Sequence, residues 1–115
     1  AINFLHEDHA LLALTFSGQK GVNGDDRFAF GQWTRGATGA PVLTDAVAAF
    51  DCELAQEFET KTHSIFVGEV RGVSHSDGAA PLVYLRSSFH VPHEIRGTVS
   101  VGDLDSRHLS WTDFS

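Results

Sequence analysis

The stretch that decides the fold is Thr62-His-Ser-Ile-Phe-Val-Gly-Glu-Val70, THSIFVGEV. Four of its nine residues are Ile, Phe or Val, types that suit a pleated, half-buried surface. A period of two puts His63, Ile65, Val67 and Glu69 on one face. The histidine is then expected at the rim of a sheet, above apolar side chains that pack the core. Gly68 breaks the run, and glycine inside a strand marks a bulge or a close backbone approach. Upstream, Ala46 to Phe58 alternates as well. Ala48, Phe50, Cys52 and Leu54 are expected to face the core, with Asp51, Glu53 and Gln56 turned largely the other way. Glu57 to Lys61 reads as the polar turn between the two strands. Downstream, Ser74 to Gly78 turns the chain, and Pro81–Arg86 and Phe89–Val91 read as a last pair of short strands. Consecutive strands joined by short turns predict a mainly β protein with an antiparallel sheet or barrel.

The N-terminal third has a different period. Ala1 to Leu5 reads as a strand already under way, so the chain is expected to be the later part of a larger domain. His6 to Phe16 then has helical character: Leu5, Leu12 and Phe16 form one stripe with Leu11 beside it. Glu7 and Asp8 sit in the first turn, where the helix dipole favours negative charge. Ser17-Gly18 predicts the stop, since glycine commonly follows a helix end. Gly21 to Gly24 reads as loop, and Asp25 to Phe30 as a single helical turn capped by an Asp. Gly31 to Pro41, rich in glycine around Trp33 and Arg35, is expected to be irregular. Pro92 to Ser115 is polar, has little periodicity and reads as a C-terminal tail beyond a domain of residues 1–91.

Bulk properties narrow the function. The chain has 115 residues, 42% of them hydrophobic and 20% charged, which is ordinary for a globular domain. Its formal charge of -7 argues against non-specific nucleic-acid binding, which needs a basic face. No apolar run approaches the length that crosses a bilayer. The single Cys52 forms no internal disulfide, and no signal peptide is visible, so a cytoplasmic location is expected.

Motifs for independent chemistry are sparse. His6-x-x-His9 and His90-x-x-His93 each place two imidazoles three apart, a spacing that serves metals on helices. Neither brings a visible third ligand, and no metal is expected. There is no Gly-x-Ser-x-Gly elbow, no Walker-type loop and no Gly-x-Gly-x-x-Gly after a strand. Arg35 and Arg86 are either surface cations or contacts for an anionic ligand. Lys20, just past the helix stop, is better placed, because turn N–H groups and a lysine together suit anionic or carbonyl oxygens.

Four stretches carry a resemblance: AINFLHEDHALLALTFSG (1–18), DRFAFGQWTRGATGAPVL (26–43), DCELAQEFETKTHSIFVGEV (51–70) and PLVYLRSSFH (81–90). In order and spacing they resemble the flavin reductase family with the FMN-binding split-barrel fold. That family includes the small reductase components of two-component flavin-dependent monooxygenases. An earlier section that holds much of the flavin in the family has no counterpart in this sequence. The resemblance implies an NAD(P)H:flavin oxidoreductase with an antiparallel split β-barrel, FMN or FAD as flavin, and NADH or NADPH as hydride donor. It implies a homodimer and an oxygenase component that takes the reduced flavin. It also implies that Phe16, Ser17, Gly18, Gln19 and Lys20 line the flavin, that His63 lies by the isoalloxazine and nicotinamide, and that Phe89 and His90 close over the cofactor. Asn3 would lie on a strand beside the ring. Ser87 and Ser88 stand where the family more usually has a glycine-containing turn. Two other readings stay open: a flavin-binding reductase of another acceptor, such as a corrinoid or metal centre, and a non-enzymatic interaction module.

Overall fold

A computed structural model describes residues 1–95; most of the expected tail, with Trp111 and Phe114, lies outside the described residues. The protein is mainly β with short helices. The strands are β1 (Ile2–Phe4), β2 (Trp33–Arg35), β3 (Pro41–Leu43), β4 (Ala48–Glu59), β5 (Ser64–His75), β6 (Val83–Leu85) and β7 (Ser88–His90). A 3-10 turn at Glu7–His9 leads into helix α1 (Ala10–Phe16), and a second 3-10 helix spans Gly24–Ala29. The sheets are β1-β4-β5, β2-β3 and β6-β7, and every pairing is antiparallel. They do not close into a continuous barrel among the described residues. None of the described helices is long and apolar enough to cross a membrane.

The long β4–β5 hairpin organises the molecule. Its ladder runs from Ala48↔His75 to Glu59↔Ser64, with irregularities at Asp51/Cys52 and Leu54/Gln56. Gly68 is required by close approach: a Cβ there would lie 2.9 Å from the Cys52 Cβ. Glu69 directly opposes Glu53, a repulsive pair that Arg71 offsets with nitrogens 2.8 Å from Glu53 and 3.5 Å from Glu69. Like Gly68, Glu69 belongs to the hairpin's own construction.

The burial of β4 is opposite to the expected face. Ala49 and Asp51 are buried, whereas Leu54 on the apolar face is 57% exposed. The reason lies in what covers each side. The β2–β3 ribbon and its turn lie over Ala49 and Asp51, and Thr38 donates to the Asp51 carboxylate through its N–H (3.0 Å) and hydroxyl (2.5 Å). The opposite face carries Ile2, Phe4, Phe50, Leu54, Phe66 and Val70, and Phe4 meets Phe50 edge-on at 5.6 Å.

The core is small. Leu12, Leu43 and Ala46 are buried together, with Leu5, Phe16 and Trp33 packed against them. Leu11, expected beside that stripe, is exposed instead. The helix stop is as expected: Gly18 has φ +84° and its N–H donates to Thr15 O. Two local expectations change. The 3-10 helix begins at Gly24, after Asn23 with no side-chain cap, so Asp25 and Asp26 sit inside its first turn. Within the supposedly irregular stretch, Trp33–Arg35 forms β2, because Pro41–Leu43 offers it a pairing partner.

Candidate functional site

A cleft lies where β1, α1, the Gly24–Ala29 helix and the β2–β3 ribbon converge. Its volume is about 320 Å³, and Asn3, Leu5, Leu12, Phe16, Phe28 and Trp33 line it. The aromatic wall follows from local sequence. Phe28 comes from the 3-10 helix and Trp33 from β2, and both lean on Phe16 at the end of α1. Ring centroids are 5.2 Å for Phe16–Phe28, 5.5 Å for Phe16–Trp33 and 5.1 Å for Phe28–Trp33. The Arg27 guanidinium sits 5.4 Å over the Phe16 ring and donates to Phe16 O at 3.3 Å. Trp33 Nε1 donates to Phe30 O at 2.6 Å, which fixes the indole plane.

Asn3 and Phe16 therefore stand on the same cleft. Asn3 has a structural duty too. Its Nδ2 donates to Pro41 O (3.3 Å) and its Oδ1 accepts from Leu43 N (2.9 Å), tying β1 to β3. Past the helix end, the N–H groups of Ser17 and Gly18 donate to Ala13 O and Thr15 O, and the Ser17 hydroxyl to Leu14 O. Those groups are spent on capping. Gln19 and Lys20 are exposed and make no hydrogen bond among the described residues.

The other expected site residues lie elsewhere. His63 is not in β5; it ends the turn before it. Its N–H donates to Thr60 Oγ1 (2.9 Å), its carbonyl accepts from Thr60 N (2.7 Å), and Nδ1 lies 2.7 Å from Thr62 Oγ1. That turn caps the free end of the β4–β5 hairpin, about 30 Å of strand beyond the pairing with β1. Phe89 and His90 sit on the β6–β7 hairpin, with Phe89 edge-on to Tyr84 at 5.4 Å and His90 Nε2 donating to Leu85 O at 3.1 Å. That hairpin is fastened beside the start of the first helical segment by Leu82 N to Leu5 O (2.8 Å) and Glu7 N to Ala80 O (3.0 Å). Neither His63 nor this hairpin lines the cleft.

A second constellation gains a member that sequence reasoning missed. His6 and His9 stack at 3.6 Å, and Asp45 Oδ2 lies 3.6 Å from His6 Nε2 and 3.0 Å from His9 Nε2. The three ligand atoms are close enough to suggest a metal. The hydrogen bonds argue otherwise. His6 Nδ1 accepts from Asp8 N (3.0 Å), and His9 Nδ1 accepts from His6 N (3.1 Å). A neutral imidazole has one N–H, so both protons sit on Nε2; that of His9 donates to the Asp45 carboxylate at 3.0 Å, and that of His6 faces it at 3.6 Å. A ligating histidine needs the reverse, a free Nε2 lone pair and an N–H on the other nitrogen. The group is a latch at the helix start. Burial pushes the Asp45 carboxyl up, but the hydrogen bond from His9 and the backbone N–H beside it outweigh that, holding it below its ordinary range.

Comparison with known proteins agrees with this architecture. The flavin reductase like domain model matches residues 1–93. The FMN reductase (NADH) RutF of Acinetobacter baylyi is 38% identical over 92 residues, covering 80% of this chain and 48% of that protein. The 4-hydroxyphenylacetate 3-monooxygenase reductase component of Klebsiella oxytoca is 34% identical over 89 residues, covering 77% of this chain and 52% of that one. Among solved structures, BorF, the flavin reductase component of a bacterial two-component tryptophan halogenase, superposes with a TM-score of 0.68. It is 30% identical, over 81% of this chain and 59% of that chain. The chain thus spans about half the length of the curated relatives it matches. With the matched domain running through β1 to β7, the chain belongs to the flavin reductase-like family and has its split-barrel fold.

Proposed function

We propose that the protein is an NAD(P)H:flavin oxidoreductase that reduces FMN or FAD and releases the reduced flavin to a partner monooxygenase. The observation that carries this reading is the aromatic cleft of Asn3, Phe16, Phe28 and Trp33, in a chain of this family. The relatives' names support it: one is an FMN reductase using NADH, another the reductase component of a monooxygenase. A reduced nicotinamide supplies hydride and the flavin ring accepts it, so the protein needs orientation and electrostatics rather than an acid–base triad. Phe16, Phe28 and Trp33 give a flat apolar wall. Gln19 and Lys20, shortly after Phe16 in the chain, offer unspent donors, and a cation brought to the ring favours the charge that reduction places on it. Asn3 holds the wall's far side by anchoring Pro41 and Leu43. Residues 1–91 form the catalytic domain in this reading, acting in the cytoplasm.

His63 and the Phe89–His90 pair enter this scheme from a second copy. The protein acts as a homodimer, and the hairpin end that carries His63 meets the partner's cleft. Flavin-dependent NADH oxidation and FMN titration of the complete protein test the reading. Lys20→Ala is expected to raise the flavin Kd several-fold, roughly the value of one charged hydrogen bond at an exposed site, with an unchanged melting temperature. His63→Ala is expected to slow stopped-flow flavin reduction while leaving stability within about 0.5 kcal/mol, as an exposed turn residue should. If the wild type neither binds flavin nor oxidises NADH in its presence, the proposal fails. Unchanged reduction in His63→Ala removes that residue alone.

A further inference from the structure

In the His6–His9–Asp45 latch, neither ring can take a second proton without a change of partner. Each Nδ1 accepts a backbone N–H, that of Asp8 for His6 (3.0 Å) and that of His6 for His9 (3.1 Å). An imidazolium donates from both nitrogens, so protonation sets a donor against a donor. The two rings differ in what can take over. The Asp8 carboxylate lies 4.0 Å from His6 Nδ1 and Asp45 lies 3.6 Å from its Nε2, so a protonated His6 has a carboxylate on each side. Buried His9 turns its Nδ1 to the His6 N–H instead. The rings stack with centroids 3.6 Å apart, so charge on one opposes charge on the other.

Glu7 and Asp8 on the same turn and Asp45 before β4 are the charged groups that face the pair. Neither β1 nor α1 carries a titratable side chain, and neither does Gly78–Pro81, which packs on this turn through the His6↔Pro81 bridge. Just before that segment, His75 and Asp77 pair with each other at 3.3 Å. The latch also reaches beyond the helix. Glu7, between His6 and Asp8, donates its N–H to Ala80 O at 3.0 Å, fastening the chain that leads into the β6–β7 hairpin.

We propose that His6 is a proton-operated clasp. Neutral, it caps the Glu7–His9 turn and keeps the Glu7 N–H on Ala80. On taking a proton from solvent at Nδ1, it passes from the Asp8 N–H to the Asp8 carboxylate; the Asp8 N–H turns to water, and the hold on the β6–β7 hairpin loosens. Leu82 N to Leu5 O keeps the hairpin attached in both states. The clasp is built from this chain's own side chains and does not depend on the reductase reading.

Imidazole nitrogen NMR on the complete protein reads the tautomers, and amide hydrogen exchange reads the clasp. Above the ordinary imidazole range, near pH 6.5, both neutral rings are expected to carry their proton on Nε2. As His6 is protonated, the Asp8 amide signal is expected to move with its ring. The Glu7 amide is expected to exchange about five- to tenfold faster relative to its intrinsic rate, the order of one lost hydrogen bond. His6→Asn keeps a capping oxygen and cannot titrate, so its Glu7 amide is expected to show no such step. His75→Asn, away from the turn, is expected to keep the step. A neutral His6 with its proton on Nδ1, a Glu7 amide indifferent to His6 protonation, or a step that survives in His6→Asn overturns the proposal. Should His6→Asn fail to fold, the wild type decides: one shared midpoint for the His6 ring and the Asp8 amide supports the clasp, and two separate midpoints overturn it.

Discussion

Asp51 shows how much one residue can decide. Alternation in β4 would send this carboxylate to water, yet it is 5% exposed because the turn over it needs an anchor. Thr38 supplies two donors, and Gly36 packs so tightly on the carboxylate that a Cβ there would collide with it. The Thr38 hydroxyl and N–H hold the Asp51 carboxyl below its ordinary value of 3.8. The sign follows. A carboxylate with a depressed folded pKa contributes stability that is complete above the ordinary value and lost as pH falls through the lower folded one. Acid therefore weakens this anchor of the Gly36–Ala40 turn progressively from about pH 4 downward, while the backbone bonds Gly36 N to Ala40 O and Gly39 N to Gly36 O remain. Asp51→Asn is expected to melt earlier than wild type at neutral pH, with the gap closing below that range. Thermal melts from pH 3 to 7 check it, and a constant gap would show that the contact's charge contributes nothing. In the sequence, neither Gly36 nor Thr38 stands out within the glycine-rich stretch from Gly31 to Pro41. The pairing of Asp51 with them depends on a ribbon whose existence the local pattern hides.

Among the elements, strong periodicity was readable and weak periodicity was not. Helix α1 with its Gly18 stop, β4, β5 and the final hairpin all follow from their own residues. β2 does not, because three residues among glycines carry no period until Pro41–Leu43 pairs with them. The same limit hid the aromatic wall: Phe28 and Trp33 converge only through the 3-10 helix between Gly24 and Ala29. The interleaved aromatics at 28, 30 and 33 were the available signal. Asp45 was invisible as the third member of the His6–His9 latch for the same reason, a contact across 36 positions. Since Asp45 is more than half exposed, Asp45→Asn is expected to cost at most about 1 kcal/mol, measured by urea unfolding. The β6–β7 turn is a clearer liability. Arg86 and Ser87 occupy φ +52° and +63°, the left-handed region that two-residue hairpins demand and that Asn-Gly fills best. Ser87→Gly should relieve about 1 kcal/mol of that strain and raise stability accordingly. A fall in stability would mean that the serine side chain holds the turn.

At the scale of the whole molecule, the balance of buried and exposed apolar surface points outward. Buried hydrophobic residues are Leu12, Leu43, Ala46 and Ala49 among those described, while Ile2, Phe4, Leu54, Phe66 and Val70 are each more than 40% exposed. The last five lie on one face of the β1-β4-β5 sheet, where Ile2, Leu54, Phe66 and Val70 border a hollow of about 360 Å³ and Phe4 packs on Phe50 beside it. A contiguous apolar sheet face on a chain with net charge -7 is an interface in search of a cover. A second copy is the occupant that fits the proposed enzyme, because the hairpin that carries this face also ends in His63, away from its own cleft. Two-fold pairing lets the same patch meet itself and carry each hairpin end toward the other protomer. Phe66→Glu places a charge in that patch without touching the cleft or the small core. The complete wild-type protein is expected to run as a dimer in light scattering coupled to gel filtration, and Phe66→Glu as a folded monomer with slowed flavin reduction. A monomeric wild type, or a Phe66→Glu variant that stays dimeric, would mean that this face is covered by something other than a second copy.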